Sequence, residues 1–271
     1  MSANSVQFID NPSDPRVAAF RDIRERDLTG REGLLIAEGE VVIRTLLAPE
    51  SLCRARSLLI AENRITAQAA LIAAAGETPV YAASQGVMDA IAGFPLHRGL
   101  LALGEKPLEP TVEATLAGLP EDCVVLACAG IGNHDNMGGL FRNAAAFGAA
   151  AVLRDERCCD PFYRKSIRVS VGAVLRTPSA AAASLTRLIV ALQAERFEVI
   201  ALSPGASEPL AGLRGGGRKA VLVGSEGPGL PPEIMASLRT VGIPMAGGFD
   251  SLNVAVTSAL ALYQMTTVSN C

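Results

Sequence analysis

The chain is short of histidine, has no paired cysteine motif and lacks a long apolar run, and each shortage removes a class of function. Its 271 residues include only two histidines, His97 and His134. Cysteines stand at Cys53, Cys123, Cys128, Cys158, Cys159 and Cys271, and no pair has C-x-x-C spacing. That pattern speaks against a structural zinc site, and no metal is expected. No apolar stretch approaches the roughly 18 residues that span a bilayer, so no membrane partner is expected. Met1 to Arg16 is polar, carries Asp10 and Asp14, and lacks the basic-then-apolar order of a signal peptide. A reduced, cytoplasmic protein is the simplest reading. The formal net charge of −3 argues against a general nucleic-acid binder but leaves room for local basic patches.

About half of the residues are hydrophobic, ample for one large or two small domains. In the first hundred residues short apolar runs alternate with helical patterns. Strands are expected at 33–37, 55–61, 79–82 and 99–104, and helices at 38–47, 67–75 and 85–92, which together describe a small α/β domain. Residues 107–120 hold Pro107, Pro110 and Pro120 with few large apolar side chains, a linker signature. A second α/β unit follows. Cys123–Ala129 is a continuous apolar strand, as in a sheet buried on both faces. Further strands are expected at 150–153, 197–202, 219–224 and 241–245. Helices are expected at 138–147, 166–175, 184–195 and 231–238, with a last one opened by Ser251. Such alternation implies a parallel sheet. Basic residues gather at Arg154, Arg157, Arg164, Lys165, Arg168 and Arg176, and again, diluted by acids, from Arg16 to Arg31.

Three loops follow strands of the second unit. The first is Gly130-Ile-Gly-Asn-His-Asp-Asn-Met-Gly-Gly-Leu-Phe-Arg142. Its helix carries Leu140, Phe141 and Ala144 on one arc, and Arg142 falls outside that arc. The second is Val223-Gly-Ser-Glu226-Gly-Pro-Gly-Leu230. The third is Ile243-Pro-Met-Ala-Gly-Gly-Phe-Asp-Ser251-Leu-Asn253-Val, where Gly247 and Gly248 leave backbone bare ahead of Asn253. Leu252, Val256, Leu260 and Tyr263 recur there at helical spacing. Ligands of open α/β sheets bind beyond the carboxyl ends of strands, so the three loops can converge. The dinucleotide fingerprint fails because Asp135 stands where its last glycine belongs. There is no P-loop lysine motif and no G-x-S-x-G elbow, and two histidines support a hydrolase triad poorly.

In this order the three loops resemble the signature motifs of the SpoU/TrmH family of RNA ribose 2′-O-methyltransferases, within the SPOUT superfamily. The resemblance covers residues 121–268 and includes Tyr163-Arg-Lys-Ser-Ile-Arg168. Residues 15–104 more loosely resemble the ribosomal-protein-like RNA-binding domain that often precedes the catalytic one. The motifs depart at Asn133-His134-Asp135, where the family commonly has Asp-Pro.

The resemblance implies an α/β SPOUT fold: a knotted parallel-sheet catalytic domain with a deep C-terminal trefoil knot, at 121–271. A small α/β RNA- and substrate-binding domain at 1–106 would precede it, joined by the linker 107–120. It implies S-adenosylmethionine as cofactor, contacted by Gly224, Ile243, Met245 and Leu252. Arg142 would act on the target ribose and its phosphate, with Asn136, Glu226, Ser251 and Asn253 ordering the site. The substrate would be rRNA or tRNA and the enzyme a homodimer with each site built across the interface. Two other readings stand beside it. One is a non-catalytic RNA- or ribosome-binding module on the same scaffold. The other is a nucleotide-dependent oxidoreductase, disfavoured by the glycine spacing.

Overall fold

A computed structural model describes residues 5–21, 28–225, 227 and 229–267 of the chain. These form two compact units. The first holds a five-stranded sheet in the order β1-β4-β3-β5-β2. Its strands are β1 (Gln7–Phe8), β2 (Leu34–Glu38), β3 (Arg54–Ala61), β4 (Val80–Ala83) and β5 (Leu100–Glu105). Helices α1 (Glu40–Leu47), α2 (Ala69–Ala74) and α3 (Gln85–Ala92) connect them. The sheet is mixed: β5 runs antiparallel to β2 and β3, while β4 is parallel to β3 and β1. Ser84 caps α3 through the Val87 amide, and Gly93 ends it in a left-handed conformation. Phe20, Ile36, Leu59, Met88 and Ile91 fill the core on one face of this sheet.

The second unit starts at Leu108, inside the stretch expected as linker, and that stretch forms helix α4 (Val112–Ala117). Thr111 caps it, and Val112 and Leu116 are buried in the second unit's core. Strand β6 (Cys123–Ala129) is the central apolar run. Helix α5 (His134–Ala146) and strand β7 (Ala151–Arg154) follow. The chain then leaves this unit, because Asp160–Arg176 packs with the first. There α6 (Arg164–Val169) ends early: Val171 has a φ of 54° and Gly172 one of 83°, which breaks the helix expected through residue 175. Lys106 ties this excursion down with an ion pair to Asp160 at 2.6 Å.

Returning, the chain adds β8 (Ser179–Ala181), α7 (Leu185–Ala194), β9 (Glu198–Leu202), β10 (Glu208–Pro209), β11 (Arg218–Gly224), α8 (Pro232–Ala236), β12 (Arg239–Gly242) and α9 (Val254–Thr267). The seven strands pair in the order β10-β12-β9-β11-β6-β7-β8, all in parallel. Val125, Leu126, Val221 and Leu222 at its centre are fully buried. Apolar strands covered on both faces need no alternation, which is why β6 and β11 read as continuous runs. Among the described residues no helix is long and apolar enough to cross a membrane, and no cluster of side chains suits a metal ion.

The described cysteines are all free thiols. Burial pushes the Cys53 and Cys158 thiols up to about 12 and Cys128 well above the usual range. Ellman's reagent at pH 8 is therefore expected to react slowly with these three in the folded protein and rapidly after unfolding. Unfolded thiols lose protons near pH 9 and the folded ones do not. Stability should hold below that pH and fall as pH rises from about 9 toward 12.

Candidate functional site

All loops of interest leave the carboxyl ends of parallel strands in the second unit. The loop after β6 is fixed by a buried acid. Asp155 accepts from the Gly130 amide at 2.9 Å and the Arg157 amide at 3.2 Å. Asn133 then caps α5, accepting from the amides of Asp135 and Asn136 at 2.8 and 3.3 Å. The helix thus begins four residues before the expected start at Gly138, and the unusual Asn-His-Asp stretch serves as its first turn.

Helix α5 packs directly on α9. A Cβ on Gly139 would lie 2.8 Å from that of Ala255, so glycine is needed for the approach. Asn143 donates to the Ala255 carbonyl at 2.5 Å and to the Ser258 hydroxyl at 3.0 Å. Two turns earlier on α5, Asn136 Oδ1 accepts from the Asn253 side-chain amide at 2.9 Å. Asn136 is buried, which makes its partner matter more. Two polar side chains from loops 117 residues apart are thereby locked together.

Asn253 also caps α9, accepting from the Ala255 amide at 2.9 Å. Ser251 was expected to open this helix. It lies ahead of the first turn at Val254 and is exposed, so the cap belongs to Asn253. The stripe of Leu252, Val256, Leu260 and Tyr263 is exposed by 42–54%. The buried side of α9 is formed instead by Val254, Ser258, Ala261, Leu262 and Met265.

Gly224, Ile243, Met245 and Leu252 all line one cavity of about 560 Å³, together with Ser251 and Asn253. Its walls come from the loops after β9, β11 and β12 and from the start of α9. At Gly224 a Cβ would fall 2.7 Å from the Gly229 carbonyl carbon and 2.8 Å from the Leu230 nitrogen, so any side chain there would force the β11 loop open. The Ser225 carbonyl accepts from the Gly229 amide at 3.1 Å and closes that loop. Glu226 lies outside the described residues. The sequence reading missed Leu202, Ser203 and Pro204, which form the wall after β9. They carry no glycine-rich or motif signal, only their place at a strand's carboxyl end.

Arg142 is exposed on α5 and does not line the cavity of its own chain. The basic stretch after β7 is not one patch. Arg154 is nearly buried and pairs with Glu109 at 2.5 Å, while the Arg157 side chain is 59% exposed.

The SpoU rRNA Methylase family matches residues 123–263, the stretch that carries the sheet, the cavity and the α5–α9 pair, and the chain belongs to that family. Uncharacterized tRNA/rRNA methyltransferases of Mycobacterium bovis and Mycobacterium tuberculosis are 38% identical to it over 274 residues, spanning 96% of this chain and 92% of theirs. The AdoMet-bound rRNA methyltransferase from Sinorhizobium meliloti has a TM-score of 0.76 at 24% identity, covering 96% of this chain and 97% of that one. An RNA 2′-O ribose methyltransferase has a TM-score of 0.78 at 24% identity, covering 98% and 100%. At those identities the likeness to the two structures is one of fold.

Two of the bonds of Asn253 are separable. Asn253→Asp keeps the cap but loses the donor to Asn136, whereas Asn253→Ala loses both. Chemical denaturation should show Ala costing about 2 kcal/mol and Asp about half of that. Unchanged stability in Asn253→Asp would mean that the Asn136 contact contributes nothing.

Proposed function

We propose that this chain is an S-adenosylmethionine-dependent methyltransferase acting on a ribose 2′-hydroxyl of rRNA or tRNA. The observation that carries the reading is the cavity. It is bounded by the second and third signature loops, and the Asn136–Asn253 bond ties the first to them. Family membership and the tRNA/rRNA methyltransferase relatives support the RNA substrate. The fit to the cofactor rests on the cavity's make-up. Val223, Leu230, Ile243 and Leu252 offer apolar surface to an adenosine and a thioether chain. Exposed backbone at Gly224, Gly227 and Gly229 supplies polar contacts without side-chain bulk.

The cofactor supplies an electrophilic methyl group on a sulfonium. The protein's part is alignment and charge. Ser251 and Asn253 at the cavity rim orient the acceptor ribose, and close alignment supplies much of the acceleration. Arg142 would supply positive charge to the forming alkoxide and the neighbouring phosphate; the hydroxyl proton would pass to that phosphate or to water as the methyl group moves and the sulfonium becomes a thioether. Reading a 2′-hydroxyl confines the substrate to RNA.

Arg142 stands outside the cavity of its own chain, which supports a site completed by a second copy. The exposed stripe of Val256, Leu260 and Tyr263 on α9 offers the apolar surface for that homodimer. The chain path through β11, β12 and α9 is the segment in which the family's trefoil knot would lie. The first unit would bind RNA, and free thiols fit a cytoplasmic setting.

Arg142→Ala should lower methyl transfer by roughly a hundredfold or more in a radiolabelled-methyl assay, with S-adenosylmethionine affinity and thermal midpoint unchanged. Retained activity would reject the assignment. Gly224→Ala should instead abolish cofactor binding by calorimetry, because its Cβ meets the β11 loop.

A further inference from the structure

The first unit contains a cavity of about 470 Å³ that the proposed chemistry does not use. Its rim carries Arg64, Arg98 and Arg168, all exposed. Among the described residues none of the three pairs with a carboxylate. Arg98 lies across Gly39, whose absent side chain leaves the room: a Cβ there would meet the guanidinium nitrogen at 3.0 Å. Two half-exposed apolar side chains, Val41 and Val171, flank the opening, and Val171 is held there with a φ of 54°.

The lining residues also include two buried acceptors in need of donors. Gln68 is 6% exposed and its amide nitrogen is committed to Glu40 at 2.9 Å, which leaves Oε1 without a hydrogen bond. Glu38 is 8% exposed; its Oε2 stands in an ion pair with Arg164 Nε at 3.9 Å but accepts no hydrogen bond. Glu40, the other acid of the lining, is already satisfied by Arg44 and Gln68. Buried polar atoms normally make hydrogen bonds, so two acceptors without one among the residues of a single cavity mark a place for a ligand's N–H groups.

The geometry points to a pocket for a single unpaired RNA nucleotide whose base carries an amino group. Its phosphates lie on the three arginines, its ring rests against Val41 and Val171, and its amino group donates to Gln68 and Glu38. Splayed-out bases read by hydrogen bonds to their edges are how proteins recognise single-stranded RNA. Uracil offers a single N–H on its edge, at N3, and so serves only one of the two acceptors. The inference rests on the reading of this chain as an RNA enzyme and adds where, and through which base chemistry, the first unit would hold the substrate.

Calorimetry on the full chain, saturated with S-adenosylmethionine, tests it with GMP, AMP, CMP, UMP and inorganic phosphate as probes. The three amino-bearing nucleotides should bind roughly tenfold or more tightly than UMP or phosphate. The double variant Arg98→Ala/Arg168→Ala should lose that margin with an unchanged thermal midpoint, and Arg64→Ala provides a second, separate variant. Equal binding of UMP, or undiminished binding in folded variants, would overturn the pocket. A pool of single-stranded 12-residue RNA should bind the native protein more tightly than any mononucleotide. Equal affinity would overturn the assignment to RNA. Cofactor affinity and the Arg142→Ala assay report on the second unit, so failure there is told apart from failure here.

Discussion

The close contact of α5 with α9 is the constraint on which the site depends. Gly139 lets the helices meet at Ala255, and Asn143 hooks the Ala255 carbonyl and the Ser258 hydroxyl. These bonds fix where α9 begins, and Asn253 at its start then reaches Asn136. Without that approach the loop after β12 would have no fixed position over the end of β11, and the cavity would lose a wall. A neutral amide pair with Asn136 buried suits this task. It is directional, and leaving either partner unmet would cost about 1–3 kcal/mol.

The parallel sheet supplies the second condition. Parallel strands deliver their carboxyl-end loops to one edge, so segments far apart in sequence converge without special contacts. The loops after β9, β11 and β12 share the wall of one cavity for this reason. The loop after β6 joins them through Asn136. The backbone-rich composition of these loops follows from the crowding at Gly224, where no side chain fits.

Much of the second unit was legible in the sequence, because buried parallel strands announce themselves as continuous apolar runs; Cys123–Ala129 was read with its observed boundaries. Helix ends were less legible, since caps compete. Ser251 and Asn253 are both good capping residues, and only the α5 contact decides for Asn253. The 107–120 stretch hid α4 because its prolines dominate the pattern, while Val112 and Leu116 find a core only in three dimensions. Periodicity identified the stripe from Leu252 to Tyr263 but not what covers it, and it is the outer face of α9. The passage of Asp160–Arg176 into the first unit, and with it Arg168 and Val171 at the second cavity, has no sequence signal at all. Long-range packing decides it.

The central claim is transfer of a methyl group to a ribose hydroxyl of RNA. Mapping 2′-O-methylation across rRNA and tRNA from cells with and without this protein tests it most directly. The account predicts that one or a few ribose positions lose their methyl group in its absence and regain it when the intact chain is restored. Identical ribose maps, with or without a change in base methylation, would contradict it.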